Sequence, residues 1–283
     1  MELSQHRARL IQHLRKRKSR EREGLVLVEG VRAVTEALDA GARVSFAVAA
    51  PIAGASDMGR DLVDRLADVD GVDLVDVDDK TLVSLSDTER PQGLMLVCEQ
   101  PESDVSQVVG TSTLILDAVQ DPGNVGALIR SAVAFGFGGV VVLDGTGDPW
   151  GAKAVRAAAG MTFRIPVHSC SADSAIRAVS KSGSTLYCAS AEGDPLRGLR
   201  QGHGTSARGV GFALVLGNEG AGVREALREA ADFIVSVEMN GAAESLNVGI
   251  AGSILMHELT RTDTDRRVGQ REAEGLSQLE LKS

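Results

Sequence analysis

The chain has 283 residues, 43% of them hydrophobic and 24% charged, with a formal net charge of −9. That length is about twice the prior for one domain and the composition is ordinary for a globular protein, so two packed domains are expected and global disorder is excluded. No apolar run approaches the roughly 18 residues of a membrane span, the N-terminus lacks a signal-peptide core, and Cys98, Cys170 and Cys188 form no CxxC pair, which disfavours membrane, secreted, disulfide-framed and zinc-cysteine classes and favours the cytoplasm.

The first predicted element is a basic helix near residues 3–19. Residues 1–22 contain Arg7, Arg9, Arg15, Lys16, Arg17, Lys18, Arg20 and Arg22 against Glu2 and Glu21, a local balance of +6 on a body that carries −15. Such a segment can neutralise nucleic-acid phosphates and release counterions, although a solvated helix face explains the same pattern. Strands follow near 25–28, 44–49, 72–75 and 93–98, with helices near 30–39, 57–68 and 78–84. The polar stretch Glu99–Ser112, with Pro101 and Gly110, breaks the periodicity and is the expected domain boundary.

The second block has expected strands at Leu114–Asp117, Val140–Leu143, Arg164–Val167, Thr185–Ala189, Phe212–Leu216 and Phe233–Val237. Helices are expected near 124–135, 151–159, 172–181, 222–230 and 245–260. Alternation of this kind favours a mostly parallel sheet covered on both faces. Asp194–Gly209 is expected to be a loop, and the charged tail from Thr262 to be loosely held.

Two glycine-containing turns fall short of nucleotide-binding fingerprints. Gly145-x-Gly147 lacks the third glycine of a dinucleotide motif and has Pro149 in the turn; Gly217-Asn-Glu-Gly-Ala-Gly222 lacks the Lys-Ser/Thr of a phosphate loop. The latter nonetheless joins a strand to a helix and places Glu219 where open α/β sheets bind ligands; a capped tight turn is the plainer account. Two more segments share this position. Asp121-Pro-Gly-Asn-Val-Gly-Ala-Leu-Ile-Arg130 starts a helix at about Asn124 and carries Arg130 within an apolar stretch, where a guanidinium needs partners if buried. Asn240–Gly249 places Ser245 and Asn247 at the start of the last helix; capping accounts for Ser245 but not readily for Asn247 as well.

These three segments, in this order, resemble the three motifs of SpoU-type (TrmH-like) RNA ribose 2'-O-methyltransferases of the SPOUT superfamily: Asn124-Val-Gly-Ala-Leu-Ile-Arg130, Leu214-Val-Leu-Gly-Asn-Glu-Gly-Ala-Gly222 and Val237-Glu-Met-Asn-Gly-Ala-Ala-Glu-Ser-Leu-Asn-Val248. Gly24-Leu-Val-Leu-Val-Glu-Gly-Val-Arg32 and Ser86-Asp-Thr-Glu-Arg-Pro-Gln-Gly93 resemble the RNA-substrate-binding domain that precedes the catalytic domain in many members. The resemblance covers roughly residues 4–261. It implies an α/β chain with four parts: an RNA-binding domain at 1–98, a linker at 99–112, a catalytic domain at 113–261 with a C-terminal deep trefoil knot, and a tail at 262–283.

The resemblance further implies S-adenosylmethionine as cofactor, RNA as substrate and a homodimer; the residue patterns give no reason to expect a metal or a membrane. Ribosomal RNA, large-subunit RNA above all, is the expected substrate. Transfer RNA, or a non-catalytic role in RNA binding or ribosome assembly, is the alternative. By motif position Leu216, Gly217, Asn218, Gly220, Val237, Met239, Ser245 and Leu246 would hold the cofactor. Arg130 would be the catalytic residue, as general base or as electrostatic anchor, oriented with the ribose and the cofactor by Asn124, Glu219, Ser245 and Asn247. RNA would meet Arg7, Arg9, Arg15, Lys16, Arg17, Lys18, Arg32 and Arg130, and the turn after Ser86. Two positions depart from the usual pattern: Glu238 replaces proline, and Gly249 replaces serine. A metal hydrolase is disfavoured, since His257-Glu258 has no second histidine at ligand spacing and His6, His13, His168 and His203 form no ligand set.

Overall fold

A computed structural model describes residues 3–69, 71–196, 211–240 and 245–260. The expected first helix is two helices. α1 (Gln5–His13) is N-capped by Ser4, and α2 (Arg17–Glu23) ends at Gly24 in the left-handed conformation. The break between them turns Arg20 inward: it is 4% exposed, donates to Leu14 O and pairs with Asp148 of the second half. A buried guanidinium with two partners is a strut, so the basic run is not one continuous phosphate-binding face.

β1 (Leu25–Glu29), β2 (Val44–Ala49), β3 (Asp73–Asp76) and β4 (Leu94–Glu99) form a sheet in the order β1-β4-β2-β3. β2 and β3 are parallel, while β4 runs antiparallel to both β1 and β2. The connecting helices α3 (Val31–Asp39), α4 (Asp57–Ala67) and α5 (Asp79–Leu85) lie close to their expected positions, the last two capped by Ser56 and Asp78. The predicted linker contains a short helix, α6 (Val105–Val108), closed by a capping box between Asp104 and Gln107.

The second sheet is entirely parallel, in the order β10-β8-β9-β5-β6-β7. Its strands are β5 (Ser112–Leu116), β6 (Gly139–Leu143), β7 (Val167–Cys170), β8 (Thr185–Pro195), β9 (Phe212–Leu216) and β10 (Phe233–Ser236). Near-continuous runs such as Leu214–Leu216 are buried on both faces, as a parallel sheet between helical layers requires. The strand expected at Arg164–Val167 is displaced. Residues Met161–Arg164 form a 3-10 turn, and the strand starts only after Pro166, which has no N–H for the ladder. β8 extends through Asp194 into the predicted loop, most of which, like the charged tail from Thr262, lies outside the described residues.

Helices α7 (Pro122–Ala134), α8 (Ala152–Ala157), α9 (Ala172–Ser182), α10 (Glu225–Ala230) and α11 (residues 248–260) cover the sheet. α7 starts two residues before the expected Asn124, because Asp121 caps it and Pro122 takes the first helical position. One apolar cluster crosses between the two halves, joining Val31 and Val34 of α3 to Trp150, Val155 and Ile165. Among the described residues no helix is long and apolar enough to cross a membrane, and no group of His, Cys, Asp and Glu could hold a metal ion.

Candidate active site

The C-terminal ends of β9 and β10 open into a cleft of about 660 Å³. Its walls are the turn after β9 (Leu216–Val223), the segment Val235–Val237 with Met239, and Ser245–Val248 at the start of α11. All eight residues expected to hold the cofactor line it. Apolar groups of Leu216, Val237, Leu246 and Val248 alternate there with backbone amides and the carboxylates of Glu192 and Glu219. Such a lining suits a ligand with a flat aromatic part and a positive charge.

The turn after β9 keeps its shape by close backbone approach. Asn218 and Gly222 exchange backbone hydrogen bonds of 3.0 and 2.9 Å. A Cβ on Gly217 would come within 2.3 Å of the Gly222 carbonyl carbon, which no side chain permits. Asn218 Oδ1 accepts from the amides of Gly220 and Ala221, and its Nδ2 donates to Ala118 O after β5. Below the turn the Asp117 side chain, 2% exposed, accepts from Arg224 N at 2.7 Å and from Arg224 Nε at 2.6 Å. Asp117 and Arg224 escaped the sequence reading; the only trace is an acid closing an apolar strand.

Asn124, Glu219 and Asn247 meet at the rim. Asn124 Nδ2 donates to Glu219 Oε1 at 2.9 Å, and Asn247 Nδ2 donates to Asn124 Oδ1 at 3.1 Å. Asn247 Oδ1 accepts from Gly249 N and Ile250 N, so Asn247 caps α11 and the helix starts three residues after Ser245. Ser245 is exposed and faces the cleft without this capping role. Gly249 is buried where a Cβ would stand 3.0 Å from Asn247 Oδ1 and 3.5 Å from Asn124 Oδ1, so a glycine relieves crowding at the asparagine pair. Glu238 is exposed. Residues 241–244 of the third motif lie outside the described set.

Arg130 does not line this cleft. It stands exposed on α7, two helical turns from Asn124, so no burial constrains its guanidinium. Of the residues expected to touch RNA, Arg7 pairs with Asp73 and lies over the Phe46 ring, Arg15 reaches Asp87 and Leu85 O, and Arg17 pairs with Glu21. Arg9, Lys16, Lys18 and Arg32 are exposed, with no ion pair among the described residues.

Residues 111–257 match the model of the SpoU rRNA Methylase family, and residues 6–96 match that of the MRM3-like substrate binding domain. The chain is 40% identical over 177 residues to the 23S rRNA (guanosine(2553)-2'-O)-methyltransferase RlmP of Bacillus subtilis, covering 62% of this chain and 68% of that protein. The SpoU methyltransferase AviRb from Streptomyces viridochromogenes, in complex with the cofactor AdoMet, superimposes with a TM-score of 0.79 at 27% identity over 92% of this chain and 99% of that one. An AdoMet-bound rRNA methyltransferase from Sinorhizobium meliloti does so with a TM-score of 0.78 at 26% identity, over 92% and 97%.

Proposed function

The chain belongs to the SpoU rRNA Methylase family, and on that premise we propose that it transfers a methyl group from S-adenosylmethionine to a ribose 2'-hydroxyl of ribosomal RNA, with large-subunit RNA favoured. The observation that carries this reading is the Asn247–Asn124–Glu219 chain of hydrogen bonds, which brings all three motif segments to the rim of one cleft.

The residues present fit the cofactor. The apolar walls and the backbone amides of the turn suit the face and edge of adenine, and the carboxylates of Glu192 and Glu219 suit a sulfonium cation. Bound there, S-adenosylmethionine supplies an electrophilic methyl group. The work left to the chain is to hold a ribose hydroxyl in line with that methyl, exclude competing water and accommodate the proton that leaves the oxygen. Asn124, held at both ends of its amide, and Ser245 orient the ribose. Arg130 grips the phosphate beside the target and stabilises charge developing on the oxygen.

A homodimer with its active sites near the subunit interface belongs to the same proposal. It is supported by Ile250 and Ile254, exposed at 54% and 37% on α11, and by Met239 at 36% on the rim of the cleft. A deep trefoil knot in the C-terminal part belongs to the same proposal; α11 there packs closely on β9 and α7, where a Cβ on Gly252 would stand 2.4 Å from Leu216 and 2.5 Å from Leu128. We assign RNA selection to residues 1–98, the linker to 99–112, catalysis to 113–261, and the protein to the cytoplasm.

The test is methyl transfer from labelled S-adenosylmethionine to separated ribosomal and transfer RNA, with the products mapped for 2'-O-methyl ribose. Labelling of a ribosomal fraction supports the reading. Labelling of transfer RNA alone replaces the substrate, and RNA binding with neither cofactor binding nor transfer removes the enzyme.

A further inference from the structure

The turn at residues 86–93, which the sequence marks for RNA contact, is joined to the catalytic helix by two sets of polar contacts made from opposite ends of one stretch of α8. Ser86 Oγ and Thr88 Oγ1, the latter at 2.9 Å, both donate to Glu29 Oε1 at the end of β1. From the same turn, Gln92 Oε1 accepts from Val31 N at 2.9 Å, which fixes the start of α3 beside Arg32. The Glu29 side chain is only 2% exposed, and its second oxygen faces Arg156 Nη1 of α8 at 3.3 Å. Three residues earlier on α8, Lys153 Nζ lies 2.8 Å from Asp121 Oδ2. The other oxygen of Asp121 accepts from Gly123 N at 2.7 Å and Asn124 N at 3.1 Å. The second set thus ends on the residue that joins Glu219 and Asn247.

Packing leaves no slack along this path. A Cβ on Gly126 would stand 2.3 Å from Ala154 O and 2.7 Å from Ala157 Cβ, so α7 and α8 touch backbone to backbone. A Cβ on Gly160 would stand 2.7 Å from Ala33 O, so the segment after α8 touches α3 in the same way. Interfaces this tight move as one body or switch between discrete arrangements; they do not deform smoothly.

We infer that α8 is a spacer that registers the RNA-selecting turn against the catalytic helix, with Glu29 and Arg156 as the positioning pair. The inference rests on the functional reading above. The pair touches neither cofactor nor reacting atoms. It sets where a ribose held by the first domain arrives relative to Asn124, and a displacement of about 1 Å at a reacting centre is enough to cost about 10²-fold in rate.

The experiment compares the full chain with Glu29→Gln/Arg156→Met, in which the amide oxygen at position 29 keeps an acceptor for Ser86 and Thr88. Removing both charges together avoids stranding a buried one. We expect affinities for S-adenosylmethionine and RNA within about twofold of the parent, a single-turnover rate lower by about tenfold or more, and methylation spread to riboses beside the parent position. Arg156→Lys, which keeps a cation at Glu29, retains most of the rate and the original position. An unchanged rate and map in the double variant, or a loss that follows only the folded fraction, overturns the inference. A parent chain that methylates no RNA overturns the functional reading itself and the inference with it.

Discussion

Asn247 Nδ2 donates to Asn124 Oδ1 at 3.1 Å, joining side chains 123 residues apart in the chain. Asn124 spends its other end on Glu219, so its amide has one orientation and cannot be replaced by a carboxylate of the same shape. In Asn124→Asp the new carboxylate faces Glu219, and two carboxylates sharing a site resist joint ionisation. Methyl transfer should fall by about 10²-fold at neutral pH and recover partly as the pH is lowered and the introduced carboxyl takes up a proton. A pH–rate profile beside that of Asn124→Ala checks this. The alanine variant has no added acid to titrate and should show no such recovery.

Arg130 is exposed on α7 and outside the cleft. Its removal should therefore leave the fold and the cofactor site intact. Arg130→Ala is expected to abolish transfer with cofactor affinity within several-fold of the parent and an unchanged melting temperature. Arg130→Lys keeps a point charge but not the planar fork, and should retain a small fraction of the rate if the guanidinium grips phosphate. A fully active alanine variant removes Arg130 from the mechanism.

How far the sequence could be read differs between these residues for physical reasons. Runs such as Leu114–Leu116 and Leu214–Leu216 announce buried strands because a parallel sheet between helices needs unbroken apolar stretches. The cleft residues were legible from motif order. What was not legible depends on contacts between distant segments. Arg20 looks like seven other cations in the basic run until the chain turns between α1 and α2 and brings it against Asp148. Position in the sequence makes Ser245 the expected cap of α11, but the cap is Asn247, because spacing alone cannot say which polar residue turns its oxygen to the free amides. Asp117 and Arg224 are adjacent only once β5 and β9 pair.

The cap of α7 should respond to acid in a defined direction. Asp121 is held below the usual carboxylate range by its bond to Lys153, then by the amides of Asn124 and Gly123. A depressed carboxyl contributes fully above its unfolded pKa, and its contribution disappears as the pH falls through the folded value. The acid limb of the activity profile is therefore expected to lie below the ordinary carboxylate range if Asp121 governs it. Lys153→Met removes the largest cause, so the limb should move to higher pH. An unmoved limb assigns it to another group.

Cysteine reactivity offers a test of packing independent of RNA. Burial pushes the Cys98 thiol up to about 12, with a smaller contribution from Glu99. Cys188 is also pushed to about 12 by burial, against a lowering by Arg228, and its Sγ donates to Leu227 O at 3.3 Å. Cys170 is raised as well but is only half-buried, at the end of β7. Since the thiolate is the nucleophile, alkylation of the native chain at pH 8 should label Cys170 slowly and leave Cys98 and Cys188 unmodified until the chain unfolds. Mass spectrometry of peptides before and after denaturation reads this directly. Labelling of Cys98 in the native chain would mean that the β1–β4 pairing around it opens far more readily than its burial implies.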